Sequence, residues 1–392
     1  MPYNQTGLGR RTTGRRLSRA GTLLLLSLVL ALVAGACSSA GSSAATSSAA
    51  TSSGTSSAAT SSAGAEKALK HYKIAFSNDN IGNQWRVQMV NDLKYRVAST
   101  YAGQIDFNYV QSAFDVTAQI SDLQRIILSK PDAIVMEARS ATALNPTLEQ
   151  ACKQGILVYT FDQTATDPCV YQLVLSNWAD QSYDMAAWMC AVTGGHGTIL
   201  QDNGASGSPL GDAFVKGEDD YFKNSCPGLS VVAQYSSVAA EGPGTEALSN
   251  LLSQYPTVSG ILGIGYCSSG ITVMKKLGLK YIPQACFLTN ASAIACEQVS
   301  AACFYWSSPA WIGAAALDNT IKILNGGTMA KVLYASDTNY FSGPDVRSTV
   351  TFKQGLLPVK SGQDFFPNLS PDLCLPVTAD DYGITPQIAL GG

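Results

Sequence analysis

The sequence predicts an α/β protein of two doubly wound, Rossmann-like lobes, each built on a parallel sheet. Short apolar runs typical of buried strands alternate with segments of helical periodicity along most of the chain. Roughly 325 residues follow a low-complexity N-terminal region, and a single sheet seldom takes that many strand–helix units without splitting. The alternation and the length together therefore favour two lobes.

The first half of the body contains three strand-like runs and two amphipathic helices. The runs are Tyr72–Phe76, Ala133–Met136 and Ile156–Phe161. One helical stripe follows Trp85, Met89, Leu93 and Val97, and a second follows Ile120, Leu123 and Ile127. Asp115 and Gly155 are residue types suited to begin and to end the helices on either side of the second run.

The same alternation resumes after Asn177. Helices are predicted over 178–192, 209–224, 244–254 and 268–277, with strands over 197–201, 229–235, 260–264 and 285–288. Strands separated by helices of this length form parallel sheets with helices on both faces. Ligands of such folds bind at the carboxyl ends of the strands, so the residues that follow each strand are the candidates for function.

The N-terminus carries an export signal, predicted over residues 1–36. Five arginines and no acidic residue accompany an apolar run of about a dozen residues, which is short for a membrane span. Ala34-Gly35-Ala36-Cys37 resembles a bacterial lipobox, in which cleavage precedes a cysteine that receives diacylglycerol. We therefore expect a lipoprotein anchored through Cys37 to the outer face of the cell membrane. A plain secretory cut stays open, and so does a twin-arginine route, given Arg15-Arg16.

Residues 37–66 are almost wholly Ser, Ala, Thr and Gly. Such a segment has no large apolar side chain to bury, so we expect a tether, or a glycosylated stalk with the same spacing role. Without residues 1–36 the chain has 20 basic and 28 acidic residues, a net charge of −8, which argues against a nucleic-acid partner.

Nine cysteines follow Cys37. In an exported chain they favour disulfides over a metal site, because no CxxC pair occurs and the sequence has two histidines. Position along the chain suggests Cys152 with Cys169 and Cys296 with Cys303. Nine is odd, so at least one thiol stays free, and we expect it to be a small buried apolar group.

Five stretches make residues 71–350 resemble the periplasmic sugar-binding proteins of the ribose-binding type. They are Asn78–Arg86, Lys130–Val135, Tyr159–Gln163, Gly265-Tyr266, and Trp311–Ala314 with the later Asn325-Gly326-Gly327. The resemblance implies the type I periplasmic binding fold, in which a three-segment hinge joins the lobes and closure removes the ligand from water. The crossings are then expected near Ser176-Asn177, near Ser307-Ser308 and near the segment 345–352. The N-terminal lobe would comprise 71–176 and 308–345, and the C-terminal lobe 177–307 and 346–392.

The resemblance also implies a set of ligand-binding residues after the strands. They are Asn83, Trp85, Arg86, Asp162, Gln163, Asp212, Phe214, Tyr266, Asn290 and Trp306. A sugar needs such a set, because its hydroxyls donate and accept hydrogen bonds while its C–H face stacks on aromatic rings. The alternative for the aromatic residues is core packing, and for the polar ones it is helix capping, a turn or the solvated surface.

Two positions depart from the family pattern. Phe214 stands where the family commonly has Arg, and Phe287 where it commonly has Asp, although Thr289 or Asn290 can supply the polar group instead. We therefore expect a cleft more aromatic and less charged than a ribose site, and a nucleoside or other aromatic-stacking ligand stays an alternative.

Enzyme motifs are absent from the sequence, which contains no GxSxG, HExxH, P-loop or GxGxxG segment. We expect no catalysis, cofactor or metal. The expected function is that of a monomeric solute-binding lipoprotein that takes up a sugar or polyol and delivers it to the permease and ATPase of an ABC importer. A sensor that reports the ligand to a membrane receptor is the alternative.

Overall fold

The computed structural model describes residues 70–391, except 176, 206, 239, 336, 337 and 378–381. The predicted signal, the lipobox with Cys37 and the tether lie outside the described residues. Within the described part, no helix combines the length and the apolar character that a membrane crossing requires.

Six strands of the described chain form the first sheet. They are β1 (Tyr72–Asn78), β2 (Ile105–Gln111), β3 (Ala133–Met136), β4 (Leu157–Phe161), β5 (Tyr171–Leu175) and β11 (Val332–Ala335). Their order is β11-β5-β4-β3-β1-β2, and the neighbouring strands are parallel. Helices α1 (Gln84–Ser99) and α9 (Ile312–Leu324) cover one face, and α2 (Val116–Leu128) and α3 (Asn145–Lys153) cover the other.

Seven strands form the second sheet. They are β6 (Gly197–Asp202), β7 (Leu229–Tyr235), β8 (Gly260–Gly263), β9 (Gln284–Phe287), β10 (Cys303–Trp306), β12 (Thr338–Ser342) and β13 (Gly355–Pro358). Their order is β13-β12-β10-β9-β8-β6-β7, with β12 antiparallel to β10 and the other neighbouring strands parallel. Helices α4 (Trp178–Val192) and α5 (Pro209–Ser225) cover one face. The other face carries α6 (Glu241–Gln254), α7 (Cys267–Leu277) and α8 (Asn290–Gln298).

Burial on both faces explains why the central strands are apolar throughout. Every residue of β3, β9 and β10 is buried, as in parallel sheets with helices on both sides. In β1 the side chains alternate, with Ile74 and Phe76 packing toward α1 and Ala75 toward α2. The prediction of two doubly wound parallel lobes is therefore confirmed.

The chain changes sheet after β5, after β10 and after β11. The third change was predicted near the segment 345–352, and this was wrong. Strand β12 begins at Thr338 and pairs with β10, so the chain returns to the second sheet between Ala335 and Thr338. The second sheet therefore includes β12, which was predicted to belong to the first lobe, as well as β13, which lies in the part assigned to the second lobe.

The C-terminal segment contacts both lobes, so the assignment of all of 346–392 to one lobe also needs correction. On the second lobe, Leu375 N donates to Leu288 O at 3.2 Å. On the first lobe, Gln88 of α1 exchanges two hydrogen bonds with the Cys374 backbone, at 3.1 and 3.2 Å. The short helix α10 (Pro386–Ala389) also joins α1, because Asn91 Nδ2 donates to Ala389 O.

Four disulfides fasten helices to neighbouring elements of the same lobe. They are Cys152–Cys169, Cys190–Cys226, Cys267–Cys286 and Cys296–Cys303. The first and last confirm the two suggested pairs, and the free, buried Cys374 confirms the expected unpaired thiol. Because none of these four bonds joins the two lobes, they stiffen each lobe without restraining closure.

Loop length predicts which disulfide contributes more to stability. The Cys190→Ala/Cys226→Ala variant opens a loop of 36 residues and is expected to lower the free energy of unfolding by about 3–4 kcal/mol. The Cys152→Ala/Cys169→Ala variant opens a loop of 17 and is expected to cost about 0.7 kcal/mol less. Urea denaturation measures both. The reverse order would show that native packing, and not chain entropy, decides the contribution.

Candidate functional site

A cleft of about 730 Å³, including the part open to solvent, lies where the carboxyl ends of the strands of both sheets meet. The first-lobe wall consists of Asp79, Asn80, Asn83, Trp85, Arg86, Phe114, Arg139, Asp162 and Gln163. The second-lobe wall consists of Ala205, Ser208, Leu210, Val238, Ile264, Tyr266, Phe287 and Trp306, and Ser308 lies at the crossing. Seven of the ten predicted ligand-binding residues therefore meet in one cleft.

Arg86 is the centre of a buried charge cluster. Its helix begins at Asn83, whose side chain accepts a hydrogen bond from Arg86 N at 3.0 Å. This cap fixes Arg86 in the first turn of α1, next to the end of β1. There Nη1 lies 2.6 Å from Asp79 Oδ1, 3.1 Å from Asn78 Oδ1, and in hydrogen-bond contact with Glu137. The guanidinium thus joins the ends of β1 and β3 while only 6% exposed.

Asp162 and Glu137 share the acidic side of this cluster. Burial raises the pKa of Asp162 to about 6 and the pKa of Glu137 well above its ordinary value, while the charge of Arg86 opposes both rises. The interaction between the two side chains raises the pKa of Glu137 further and lowers the pKa of Asp162. The cluster therefore combines one buried cation with two acids whose charged forms are disfavoured by burial.

Backbone strain is concentrated at the cleft. Five described residues other than glycine have positive φ, and three of them line the cleft: Phe114 at 56°, Asp162 at 53° and Val238 at 48°. Aspartate tolerates this left-handed conformation better than most residues, whereas a β-branched valine adopts it only at a cost. Strain of this kind is typical of binding sites.

Two residues that line the cleft each carry a buried polar atom without a partner. Gln163 is 7% exposed and Trp306 is 4% exposed. Neither Gln163 Oε1 nor Trp306 Nε1 has a hydrogen-bond partner in the described part of the chain. Most buried polar atoms in proteins are paired, so these two indicate a polar group that enters the cleft from outside.

Trp85 links the first lobe to the crossing. Its Nε1 donates to Ser308 O at 2.6 Å, and its ring lines the cleft while only 6% exposed. The indole N–H is therefore already used, and the ring face is what Trp85 can offer a ligand. Trp85 therefore packs in the core and also lines the cleft.

The second-lobe wall is built on stacked aromatic rings. Phe287 lies 4.6 Å from Trp306 and 6.2 Å from Tyr266, measured between ring centroids. Phe214 contacts Trp306 edge to face at 4.8 Å. It is fully buried behind that ring and outside the cleft lining, so the prediction of Phe214 as a ligand contact is corrected: Phe214 supports Trp306 from behind.

Two further predicted residues lie away from the cleft. Asp212 is exposed in the first turn of α5 and borders a shallow surface depression. Asn290 is fully buried, and its side chain bonds the C-terminal segment: Nδ2 donates to Phe366 O and Ser370 O, both at 2.9 Å, and Oδ1 accepts from Phe366 N at 2.7 Å. It holds a loop roughly 80 residues away in sequence and has no atoms left to offer a ligand.

Sequence reasoning missed Phe114 and Arg139. Phe114 follows β2 and Arg139 follows β3, and the Arg139 guanidinium lies 4.1 Å from the centroid of the Phe114 ring. The rule that ligands gather at strand ends applied to both positions, but no motif marked them. Arg139 gives the cleft a second cation, half-buried, beside the carboxylates.

The chain matches the model of the periplasmic binding protein domain family over residues 74–328. It belongs to this family. The resemblance to the ribose-binding type and the type I fold are thereby confirmed. A search of curated protein sequences found no match.

Solved structures share the fold of this periplasmic binding protein. An ABC transporter solute-binding protein from Thermobispora bispora is 23% identical, with a TM-score of 0.62 over 67% of this chain and 83% of that one. The arabinose-transporter component from Shewanella sp. ANA-3, bound to α- and β-L-arabinofuranose, is 17% identical, with a TM-score of 0.62 over 69% and 91%. A Mycobacterium smegmatis protein in complex with β-D-fucofuranose is 14% identical, with a TM-score of 0.60 over 68% and 90%.

Replacement of the central cation tests the charge cluster. Arg86→Met leaves buried acids without their counter-charge and is expected to lower the free energy of unfolding by about 3–5 kcal/mol at pH 7. The loss should shrink at pH 5, where Asp162 is mostly protonated. Chemical denaturation at the two pH values measures it.

Arg347→Met is the matched control, because Arg347 forms an exposed ion pair with Asp345. It is expected to cost less than about 1 kcal/mol. Equal losses for the two variants would contradict the structural role given to Arg86.

Proposed function

We propose that this periplasmic binding protein is an extracytoplasmic solute-binding lipoprotein of an ABC importer, which binds a sugar or polyol in the cleft between its lobes. The observation that carries the proposal is the pair of buried, unpartnered polar atoms, Gln163 Oε1 and Trp306 Nε1, beside the carboxylate of Asp162 and a set of aromatic rings. An acceptor, a donor and a carboxylate next to ring faces are the groups that a hydroxylated ring requires.

The first lobe supplies the polar recognition. Asp162 and Gln163 Oε1 accept hydrogen bonds from ligand hydroxyls, and Arg139 donates to ligand oxygens. Arg86 holds the acids in place, and its guanidinium group also lines the cleft. Trp85 and Trp306 offer ring faces to C–H groups of the ligand.

The comparisons support a sugar. The Shewanella structure holds arabinofuranose and the Mycobacterium structure holds fucofuranose, on the same fold as this chain. A nucleoside is the second candidate, because the tyrosine, phenylalanine and tryptophan of the second wall can stack on a base.

In the proposed transport cycle, the two lobes close around the ligand. We assign 71–176 and 308–335 to the N-terminal lobe, and 177–307 with β12 and β13 to the C-terminal lobe. Three changes of sheet form the hinge, and closure around the ligand would create the surface that a permease recognises. The lipid on Cys37 and the tether over 37–66 keep the monomer near that permease. A sensor that presents the closed form to a membrane receptor would use the same steps.

A ligand panel tests the proposal. Sugars, polyols, nucleosides and amino acids are added to the purified protein, and thermal unfolding is followed. A ligand at about 100 times its dissociation constant is expected to add about 2.7 kcal/mol and to raise the midpoint by a few degrees. Asp162→Ala should abolish the shift, and Asp212→Ala, which changes an exposed residue outside the cleft, should not. A shift with nucleosides or amino acids alone would refute the sugar assignment.

The titration of Asp162 predicts how affinity depends on pH. A ligand hydroxyl that donates to the carboxylate favours the ionised form, so binding weakens as the pH falls through about 6, approaching tenfold for each further unit. Titration calorimetry between pH 7.5 and 4.5 measures the change. In Asp162→Asn, which does not titrate, the affinity should be lower and its pH dependence flatter. If the affinity of the wild-type protein does not change over this pH range, Asp162 does not contact the ligand.

A further inference from the structure

The two walls of the cleft differ in chemistry. The first-lobe wall presents two cations, carboxylates and amides. The second-lobe wall presents mainly hydrocarbon, with Leu210, Val238 and Ile264 beside the rings of Tyr266, Phe287 and Trp306. A bound ligand therefore meets charged and polar groups on one side and apolar groups on the other.

The polar side chains of the second-lobe wall are Ser208, Tyr266 and Trp306. The Ser208 hydroxyl already accepts from Gly211 N at 3.1 Å, where it caps α5. Trp306 Nε1 is an unpartnered donor, but an indole accepts nothing in return. A ligand hydroxyl placed against the aliphatic part of this wall, Leu210, Val238 and Ile264, would lose its water without gaining a partner from those side chains, whereas a methyl or methylene group would gain contact there.

The strained backbone at Val238 also favours an apolar group on the ligand. Val238 has φ 48° and is 40% exposed, although a left-handed position at a surface is one where glycine or asparagine would fit without strain. Its side chain is hydrocarbon on the rim of the cleft. Strain at such a position makes physical sense if the isopropyl group contacts an apolar part of the ligand.

Charge balance argues for an uncharged ligand. The charged residues of the cleft lining are two arginines, Arg86 and Arg139, and two aspartates, Asp79 and Asp162. The cleft thus has no excess of either sign to offset a charged ligand.

We infer that the ligand is a deoxy sugar, an uncharged sugar in which the part that faces the second lobe carries methyl or methylene in place of a hydroxyl-bearing carbon. This rests on the proposed function and narrows it. The hydroxylated edge faces Asp162, Gln163 and Arg139, and the deoxygenated part faces Val238, Leu210 and the aromatic rings.

Matched sugar pairs that differ in a single hydroxyl test the inference. Titration calorimetry of the purified full chain compares L-rhamnose with L-mannose, L-fucose with L-galactose, and D-fucose with D-galactose. We expect the deoxy member of at least one pair to bind tenfold or more tighter than its 6-hydroxyl counterpart, because a hydroxyl buried without a partner costs at least that much affinity.

A variant of the apolar wall provides the second measurement. Val238→Asn keeps a residue that tolerates positive φ, so the fold is preserved, and it adds an amide to the wall. We expect the preference for the deoxy member to fall at least fivefold in this variant. Asp212→Asn, outside the cleft, should leave both affinities unchanged.

The outcomes separate the two proposals. If the hydroxylated members bind as tightly as the deoxy members, or if Val238→Asn weakens both equally, the inference is overturned while sugar binding stands. If other sugars bind and none of these six does, the inference is again overturned alone. If no sugar of any kind binds, the proposed function fails as well.

Discussion

The guanidinium of Arg86 is the interaction on which the polar half of the cleft depends. Asp79, Glu137 and Asp162 come from the ends of three neighbouring strands, and in a buried site their carboxyl groups would repel one another without a cation. The helix cap at Asn83 fixes the start of α1, and with it the position of the cation. The order of the strands thus places the acids, and the helix cap places the Arg86 cation among them.

The bonds within each lobe differ in kind from those between the lobes. Disulfides connect neighbouring elements within each lobe. Between the lobes, the C-terminal segment provides weaker and reversible links, because Cys374 N donates to Gln88 on the first lobe and Leu375 N donates to Leu288 on the second. This division suits a molecule whose lobes move as bodies while the residues of each wall keep their positions.

The features that depend on short stretches of sequence could be predicted from the sequence. The alternation of strands and helices predicted both sheets, and position after a strand predicted Arg86 and Asp162. Asn290 was mistaken for a ligand contact because its partners, Phe366 and Ser370, lie in a segment without periodicity. Phe214 and Trp306 are both aromatic residues of the same lobe, and only three-dimensional packing decides which of them faces the cleft.

The same limit explains the remaining differences. Arg139 and Phe114 stand in loops whose sequence resembles that of any exposed connection. The return of the chain before β12 depends on pairing with β10, which is roughly 35 residues earlier in sequence. Pairings of Cys190 with Cys226 and of Cys267 with Cys286 likewise depend on which helices pack together, because nine cysteines permit many combinations.

The position of Cys374 makes this thiol a natural reporter of domain motion. Among the described cysteines it is the unpaired one, and its neighbours lie on both lobes, with Gln88 on one side and Thr289 on the other. Burial raises the pKa of the thiol, so it is unreactive while the segment stays in place. The rate at which a thiol reagent modifies Cys374 therefore reports how often the C-terminal segment separates from the lobes, without any engineered label.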